Sequence, residues 1–394
     1  MTDSSQWKLN IHKTISDISA ADWNRCANPV DQDYNPFLDH AFLAALELSK
    51  SATPETGWGA HHLSLTDERS NQICAVMPLY LKSHSQGEYI FDHGWADAFH
   101  RAGGQYYPKL LCAIPFTPAS GRRLLVAPGD NSEMLATALA QEAAAMTEQL
   151  GLSSLHLNFL TEQEWRKLGS EGFLLRTDQQ FHWLNAGYRH FDDFLADLSS
   201  RKRKNLKKER QKAVENDIEI EWVTGNELTE AHWDAFYGFY LDTGFRKWGE
   251  PYLKRDFFSR IQTGMADRTL LIMAKRAGQY VAGALNFIGS RTLFGRHWGC
   301  SEDHPFLHFE CCYYQAIDFA ITRGLKRVEA GAQGTHKLAR GYVPTRTYSA
   351  HHIPHEGFRA AVENYLEQER RHVENDMSVL STHTPFKQQD QNHD

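Results

Sequence analysis

Two stretches of the chain gather the side chains that chemistry needs. The denser is Val328–Tyr342, where Gly331, Gly334 and Gly341 interrupt a segment carrying Glu329, His336, Lys337 and Arg340. Glycines let backbone N–H groups approach an anion closely, and Lys and Arg add positive charge. Neither G-x-x-x-x-G-K-[ST] nor G-x-G-x-x-G occurs, so this is not a Walker or dinucleotide loop. Read plainly, it is either an anion-binding loop after a strand or a structural loop with solvated charges. The second stretch, Arg201–Lys212, holds eight of the 42 basic residues and leaves the rest of the chain at 34 basic against 48 acidic. On a helix, Arg201, Lys204, Lys208 and Lys212 share roughly one face, with Lys202 and Leu206 on the adjoining one. Ser199 or Ser200 is a suitable cap. Such like charges repel one another unless an anion joins them. The candidates are the phosphates of a nucleotide-bearing ligand or of a nucleic-acid backbone, set against an ordinary solvated face.

The remaining reactive residue types are less organised. The 21 histidines include no H-E-x-x-H pair and no Cys/His cluster, and the adjacent pairs His61-His62 and His351-His352 would point to opposite faces of a strand. No metal site is expected. His297, beside Trp298 on a central strand, is a candidate for substrate contact or acid–base work. The six cysteines form no C-x-x-C pair and read as reduced, buried thiols of a cytoplasmic protein.

These residues need a scaffold. A length of 394 residues suits two domains, and 41% hydrophobic with 23% charged residues is ordinary for a soluble globular chain. The formal charge of −7 excludes a globally basic nucleic-acid coat. The first residues, MTDSSQ, show no signal-peptide pattern, and no apolar run is long enough to span a bilayer. Periodicity predicts strands at 61–66, 73–82 and 88–92, a helix over 133–150, strands at 155–159 and 181–184, and a short helix at 162–170 between them. The second half repeats that order. A strand at 218–223 and helices at 231–241 and 253–261 lead into strands at 269–275, 281–288 and 292–298. A helix over 309–323 and strands at 327–330 and 347–353 follow. This predicts an α/β (α+β) chain of two similar units, each a mixed, largely antiparallel sheet flanked by helices. Expected bounds are 7–185 and 186–373, with 374–394 as a disordered tail.

That element order resembles acyltransferases of the GNAT fold, and its doubling resembles the Fem-type peptidoglycan aminoacyltransferases. From about Trp7 to Val373 the chain is similar to the Fem-like N-acyltransferase family, labelled peptidoglycan biosynthesis or recognition. The resemblance is carried by Gly87–Asp97, Ser199–Lys204, Phe294–Cys300 and Val328–Tyr342. It implies a basic helix facing the substrate cleft, here Arg201, Lys202 and Lys204. It also implies a Lys after the strand–Gly loop that contacts the acyl donor or transition state, here Lys337, although His336 stands where Phe is common. An Asp pointing into the cleft falls on Asp97, without the Pro usual in its turn; a turn-capping Asp is the alternative. The activity implied is transfer from a CoA thioester or aminoacyl-tRNA to an amine, with no permanently bound cofactor. The acceptor would be a small-molecule or muropeptide-type amine. The other class of function is a non-catalytic module recognising a cell-wall precursor or another phosphate-bearing ligand.

Acyl transfer to an amine needs a neutral amine, a stabilised oxyanion and a protonated leaving group. The resemblance to GNAT-type folds, whose central strands splay and leave backbone N–H groups for the oxyanion, implies that role for strand Phe294–Cys300. Lys337 would balance negative charge. Asp97, Glu329 and His297 are the candidates for the proton, with Gly334, His336 and Arg340 beside the donor. Oligomeric state is left open by the sequence.

Overall fold

Branched and aromatic residues make strands of Ile218–Thr224, Thr269–Arg276, Gln279–Ile288 and Thr292–Cys300; helices Glu230–Lys247 and Arg255–Met265 lie between the first two, and short polar turns join the rest. In the computed structural model, which describes residues 7–247, 251–331 and 334–387, these strands pair antiparallel in that order. Arg327–Glu329 then joins Thr292–Cys300 in parallel, and its other edge pairs with the end of Leu174–Leu184. A parallel neighbour requires a crossover. The helical run 307–322 supplies it, burying Tyr314, Ile317 and Ala320 against Ile272, Ala282, Leu293 and Val328.

The first half uses the same plan. Trp7–His12, His62–Asp67, Ile73–Met77 and Leu125–Val126 form an antiparallel sheet. Trp58–Ala60, Leu79–Lys82 and Lys109–Cys112 pair antiparallel, and Lys109–Cys112 lies parallel to Leu155–Leu160. Helix Ser132–Gln149 is the crossover, with Leu135, Leu139, Ala143 and Met146 in the core. Each half is therefore an antiparallel meander followed by one parallel pair. The α/β class and the doubling expected from the sequence are both present.

Three details differ from expectation. Pro78 lacks an N–H to donate, and the run expected at 73–82 breaks there into two strands that belong to different sheets. Residues 88–92 are not a strand. Glu88 and Asp92 turn inward onto Lys109, Tyr89 adopts φ 59°, and Asp92 precedes a helix, His93–Arg101, absent from the sequence-based elements. The compact units are also discontinuous: the first comprises the chain up to Asp178 with Tyr252–Gly264 and Arg346–Glu374, and the second the remainder. The cause is packing. Phe257 sits edge-on to Phe42, and Phe358, Val362 and Leu366 join Trp95, Tyr106 and Leu174 in one cluster. Each such fully buried side chain is worth about 1.5–3 kcal/mol.

The segment expected as a tail from 374 is ordered over most of its length. Helix Glu356–Ser381 runs through that boundary, and Phe386 pairs with Leu198 in an isolated bridge. Residues 388–394 lie outside the described ones.

One position ties the strand that carries the site to its covering helix. A Cβ on Gly299 would lie 2.2 Å from the Phe239 carbonyl oxygen of helix Glu230–Lys247. Gly299→Ala is expected to cost about 1–3 kcal/mol, read as a lower urea midpoint.

Candidate functional site

The parallel pair in the second unit is short. Thr292, Leu293 and Phe294 pair with Arg327, Val328 and Glu329, and then the strands part at Gly295 and Ala330. The register of the neighbouring pair shifts at the same level: Leu285 faces His297 and Asn286 faces Gly295, so Arg296 is a bulged residue. A bulge interrupts the ladder and leaves backbone groups for another partner. A pocket of about 110 Å³ opens in the fork. Its walls include Asn286, His297, His308, Cys312 and Tyr313. The last two come from a π-helical turn, Glu310–Tyr314, that widens the helical run and turns Tyr313 to stack on Phe309.

Beyond the fork, Gly331 (φ 78°) and Gly334 (φ 119°) hold left-handed backbone that a side chain would resist. The chain then coils into the 3-10 helix Thr335–Arg340. This tight turn puts Lys337 at 2% exposure, its Nζ donating to the Gly331 carbonyl at 3.0 Å. Burial lowers its pKa from 10.5 to about 8, opposed by the nearby Cys312 sulfur. Burial, then Arg327 and Lys337, disfavour the imidazolium of His182 and take that ring down to about 3.

The structure gathers most of the expected site in the second unit. Glu329, 3% exposed, ends its strand with Arg327 Nε 3.2 Å and His182 Nε2 4.0 Å away. His297 lines the pocket edge-on to Tyr240, held neutral by burial and Arg296 with a pKa near 3. His336 shares a 2.9 Å hydrogen bond with the Tyr313 hydroxyl, and burial, Arg340 and Lys337 lower its pKa.

Arg340 turns elsewhere. Its guanidinium lies 3.4 Å over Phe309 and bonds Glu209 at 2.9 Å, clamping the loop to the basic helix Ser200–Ala213. Glu209 also accepts from Tyr314, and Arg210 reaches Glu310 and Asp318, both at 2.8 Å. Lys202 precedes Glu209 by two turns on the same face, about 10 Å along the axis. Arg201 and Lys204 are exposed, Lys202 is half-buried, and none of the three makes an ion pair among the described residues. Asp97 lies in the first unit, exposed on helix His93–Arg101. The buried carboxylates near it in sequence are Glu88 and Asp92.

Asn286, Cys312, Tyr313, His182 and Glu209 were not singled out from sequence. Asn286 and Tyr313 carry no pattern of their own; they reach the site through a bulge and a π-turn. Glu209, the one acid inside the basic run Arg201–Lys212, was the available signal.

The model of a family described as FemAB-like, peptidoglycan biosynthesis/recognition, matches residues 14–388. No curated protein sequence matches. Among solved structures, FemX is 11% identical, with a TM-score of 0.54 over 90% of this chain and 100% of its own. A DUF2156 domain from Agrobacterium fabrum is 10% identical, with 0.52 over 88% and 96%. A tandem GNAT protein from the clavulanic acid biosynthesis pathway is 10% identical, with 0.46 over 88% and 98%. At such identities the likeness of FemX and of the DUF2156 domain concerns the fold alone.

Proposed function

Since the chain belongs to the FemAB-like family of peptidoglycan biosynthesis or recognition, we propose that it is an N-acyltransferase. It moves an acyl or aminoacyl group from a CoA thioester or an aminoacyl-tRNA to an amine, in the cytoplasm and without a bound cofactor. The observation that carries the proposal is the buried Lys337, whose Nζ donates to Gly331, the residue after Ala330 in the pocket wall, and whose charge interacts with Cys312 of that same wall. A cation held there against burial is stabilised when negative charge develops beside it.

The donor carbonyl enters the fork, where backbone N–H groups around the Arg296 bulge take the oxyanion. The neutral amine attacks the carbonyl carbon, the C–N bond forms, and the C–S or C–O bond to the carrier breaks. No covalent enzyme intermediate is involved. Glu329 and His297, the latter kept neutral by burial in the pocket wall, are the candidates to take the amine proton and pass it to the leaving sulfur or oxygen. Lys337 balances the charge on the tetrahedral intermediate. Gly334 and His336 shape the donor side, and Arg340 keeps the loop in place through Glu209.

Arg201, Lys202 and Lys204 bind the donor's phosphates. The connection into the helical run 307–322 carries Asp303, whose charge opposes an anion at that helix start; its neighbour Glu302 is paired with Arg276 at 2.7 Å. This favours the basic helix as the phosphate contact. Replacing all three bases by Ala is expected to weaken donor binding at least about tenfold. With a tRNA donor the slope of log K on log salt falls in magnitude by about 2–3. Titrations at two salt concentrations check both.

Thermal stabilisation by acetyl-CoA, longer acyl-CoAs, aminoacyl-tRNA and a nucleotide-linked muropeptide tests the proposal, because a ligand of the native state raises Tm by mass action. A shift with a donor, followed by amine-dependent loss of its acyl group, supports transfer. A shift with muropeptide alone and no turnover supports the non-catalytic module instead.

A further inference from the structure

The first unit holds another pocket, of about 400 Å³, lined entirely by its own residues. That lies within the range of about 300–1,000 Å³ usual for small-ligand sites. Trp165 of helix Glu162–Ser170, Thr177 of strand Leu174–Leu184 and Arg346 of strand Val343–His352 meet there with helix Glu356–Ser381. The helix adds Arg370 and Arg371, so three guanidiniums line one small volume. Like charges so placed repel, and the unit does not neutralise them all. Arg346 pairs with Glu374 at 3.1 Å, but Glu374 is exposed and such a pair contributes little. Arg370 donates to the Leu175 carbonyl and meets no carboxylate among the described residues. Arg371 makes neither a hydrogen bond nor an ion pair among the described residues. Glu367 stands one turn before it, in the order that favours pairing on a helix. At the same spacing, Glu162 and Arg166 do pair, at 2.5 Å.

A hydroxyl completes the site. Thr177 is only 6% exposed, lines the pocket, and has no side-chain hydrogen bond among the described residues. A hydroxyl so enclosed ordinarily finds a partner within the protein. Trp165 forms the apolar wall. Its indole N–H donates to the Arg176 carbonyl at 3.1 Å, which fixes the ring, and Tyr348 packs on it with centroids 5.1 Å apart. Three arginines against two glutamates, Glu367 and Glu374, leave the lining a formal charge of +1. A nucleic-acid backbone rewards a longer run of bases than that. The lining suits one compact anion that reaches several guanidiniums at once. Phosphate oxygens match the guanidinium fork, and a phosphomonoester presents three of them with about −1.5 to −2 charge at pH 7. A carboxylate, with one charge, is served by a single guanidinium.

We propose that this pocket binds a phosphomonoester, its phosphate among the three guanidiniums and the Thr177 hydroxyl and its body against Trp165. The proposal goes beyond acyl transfer and stands without it, since Lys337 and the basic helix Ser200–Ala213 belong to the other unit.

Calorimetric titration of the full chain with AMP and with glucose 6-phosphate tests it, with adenosine, glucose and inorganic phosphate alongside. At least one of the two esters should bind saturably, and the tighter of them tells whether a base or a sugar rests on Trp165. Adenosine and glucose should show no binding, and inorganic phosphate, without a body for Trp165, should bind more weakly than the tighter ester. Arg371→Ala, at an exposed position, and Thr177→Val, which removes only the hydroxyl and suits a strand, should each weaken binding at least about tenfold with Tm unchanged. Replacing Arg201, Lys202 and Lys204 together by Ala should leave the titration as it is, and so should Lys337→Met, so failure of the transfer proposal and failure of this one are separable. No saturable binding of either ester would overturn the proposal. So would inorganic phosphate bound as tightly as both esters, or affinity unaltered in both Arg371→Ala and Thr177→Val. Affinity lost in the basic-helix variant and kept in those two would overturn it as well.

Discussion

Lys337→Met is expected to lower kcat/KM for acyl transfer by about 10²–10³ while making the protein more stable. Few substitutions move the two in opposite directions, and burial explains why this one does. The folded state holds the ammonium at a pKa of about 8 against 10.5 in the free side chain. Holding it charged at neutral pH costs about 3 kcal/mol. Removing it recovers that, less about 1 kcal/mol for the hydrogen bond to Gly331. The sign of the pH dependence follows. Between about pH 8 and 10.5 the unfolded chain keeps a proton that the native Lys337 has lost, so this group makes stability rise with pH across that window. Urea midpoints at pH 7.5, 9 and 10 should show the rise in the parent and lose this component in Lys337→Met. Transfer runs the other way: the charged form does the work, so kcat/KM referred to the concentration of neutral amine should fall as pH passes about 8.

Lys109→Met should be the most damaging substitution for the fold. Lys109 is wholly buried and donates to Ser85 at 2.8 Å, to Glu88 at 2.9 Å and to Asp92. Asp92 also accepts from Tyr106 at 2.7 Å. The Lys109 ammonium, more than any other neighbour, keeps the Asp92 carboxyl well below the usual range despite its burial. Glu88 is pushed up to about 7, because its loss of hydration outweighs the same cation. Without Lys109 the Asp92 anion is buried and uncompensated, a loss of about 3–5 kcal/mol. That should lower Tm by roughly 10 °C or more for a unit of this size. Asp92→Asn in the same background should return part of it, since the uncompensated charge is then gone. Calorimetric melts of the single and double variants give the coupling directly.

These two lysines also mark what can be read from sequence. Lys337 stands out in the sequence because glycines and basic residues crowd its loop in a pattern that resembles a known family. Lys109 sits in an unremarkable apolar run and gave no signal; its partners Glu88 and Asp92 looked like part of a strand. The meander strands of the second unit were legible through their branched residues. Arg296 was not legible as a bulge, nor Glu310–Tyr314 as a π-turn. Both depend on pairing and packing with elements distant in sequence, and together they make the pocket. Helix Glu356–Ser381 was missed because its few buried apolar residues, Phe358, Val362 and Leu366, lie among many charges. Its apolar stripe is narrow, and it is held by packing against Trp95 and Tyr106 more than by its own periodicity.

The central claim is that the fork beside Lys337 carries an acyl group directly from an activated ester to an amine. The measurement that tests it most directly is mass spectrometry of a single turnover, with stoichiometric donor, excess amine, and the parent compared with Lys337→Met. The account predicts acylated amine from the parent, no acyl group on the protein at any time point, and product slowed by about 10²–10³ in the variant. An acyl group found on Cys312 or Lys337, or equal rates from the two proteins, would contradict it.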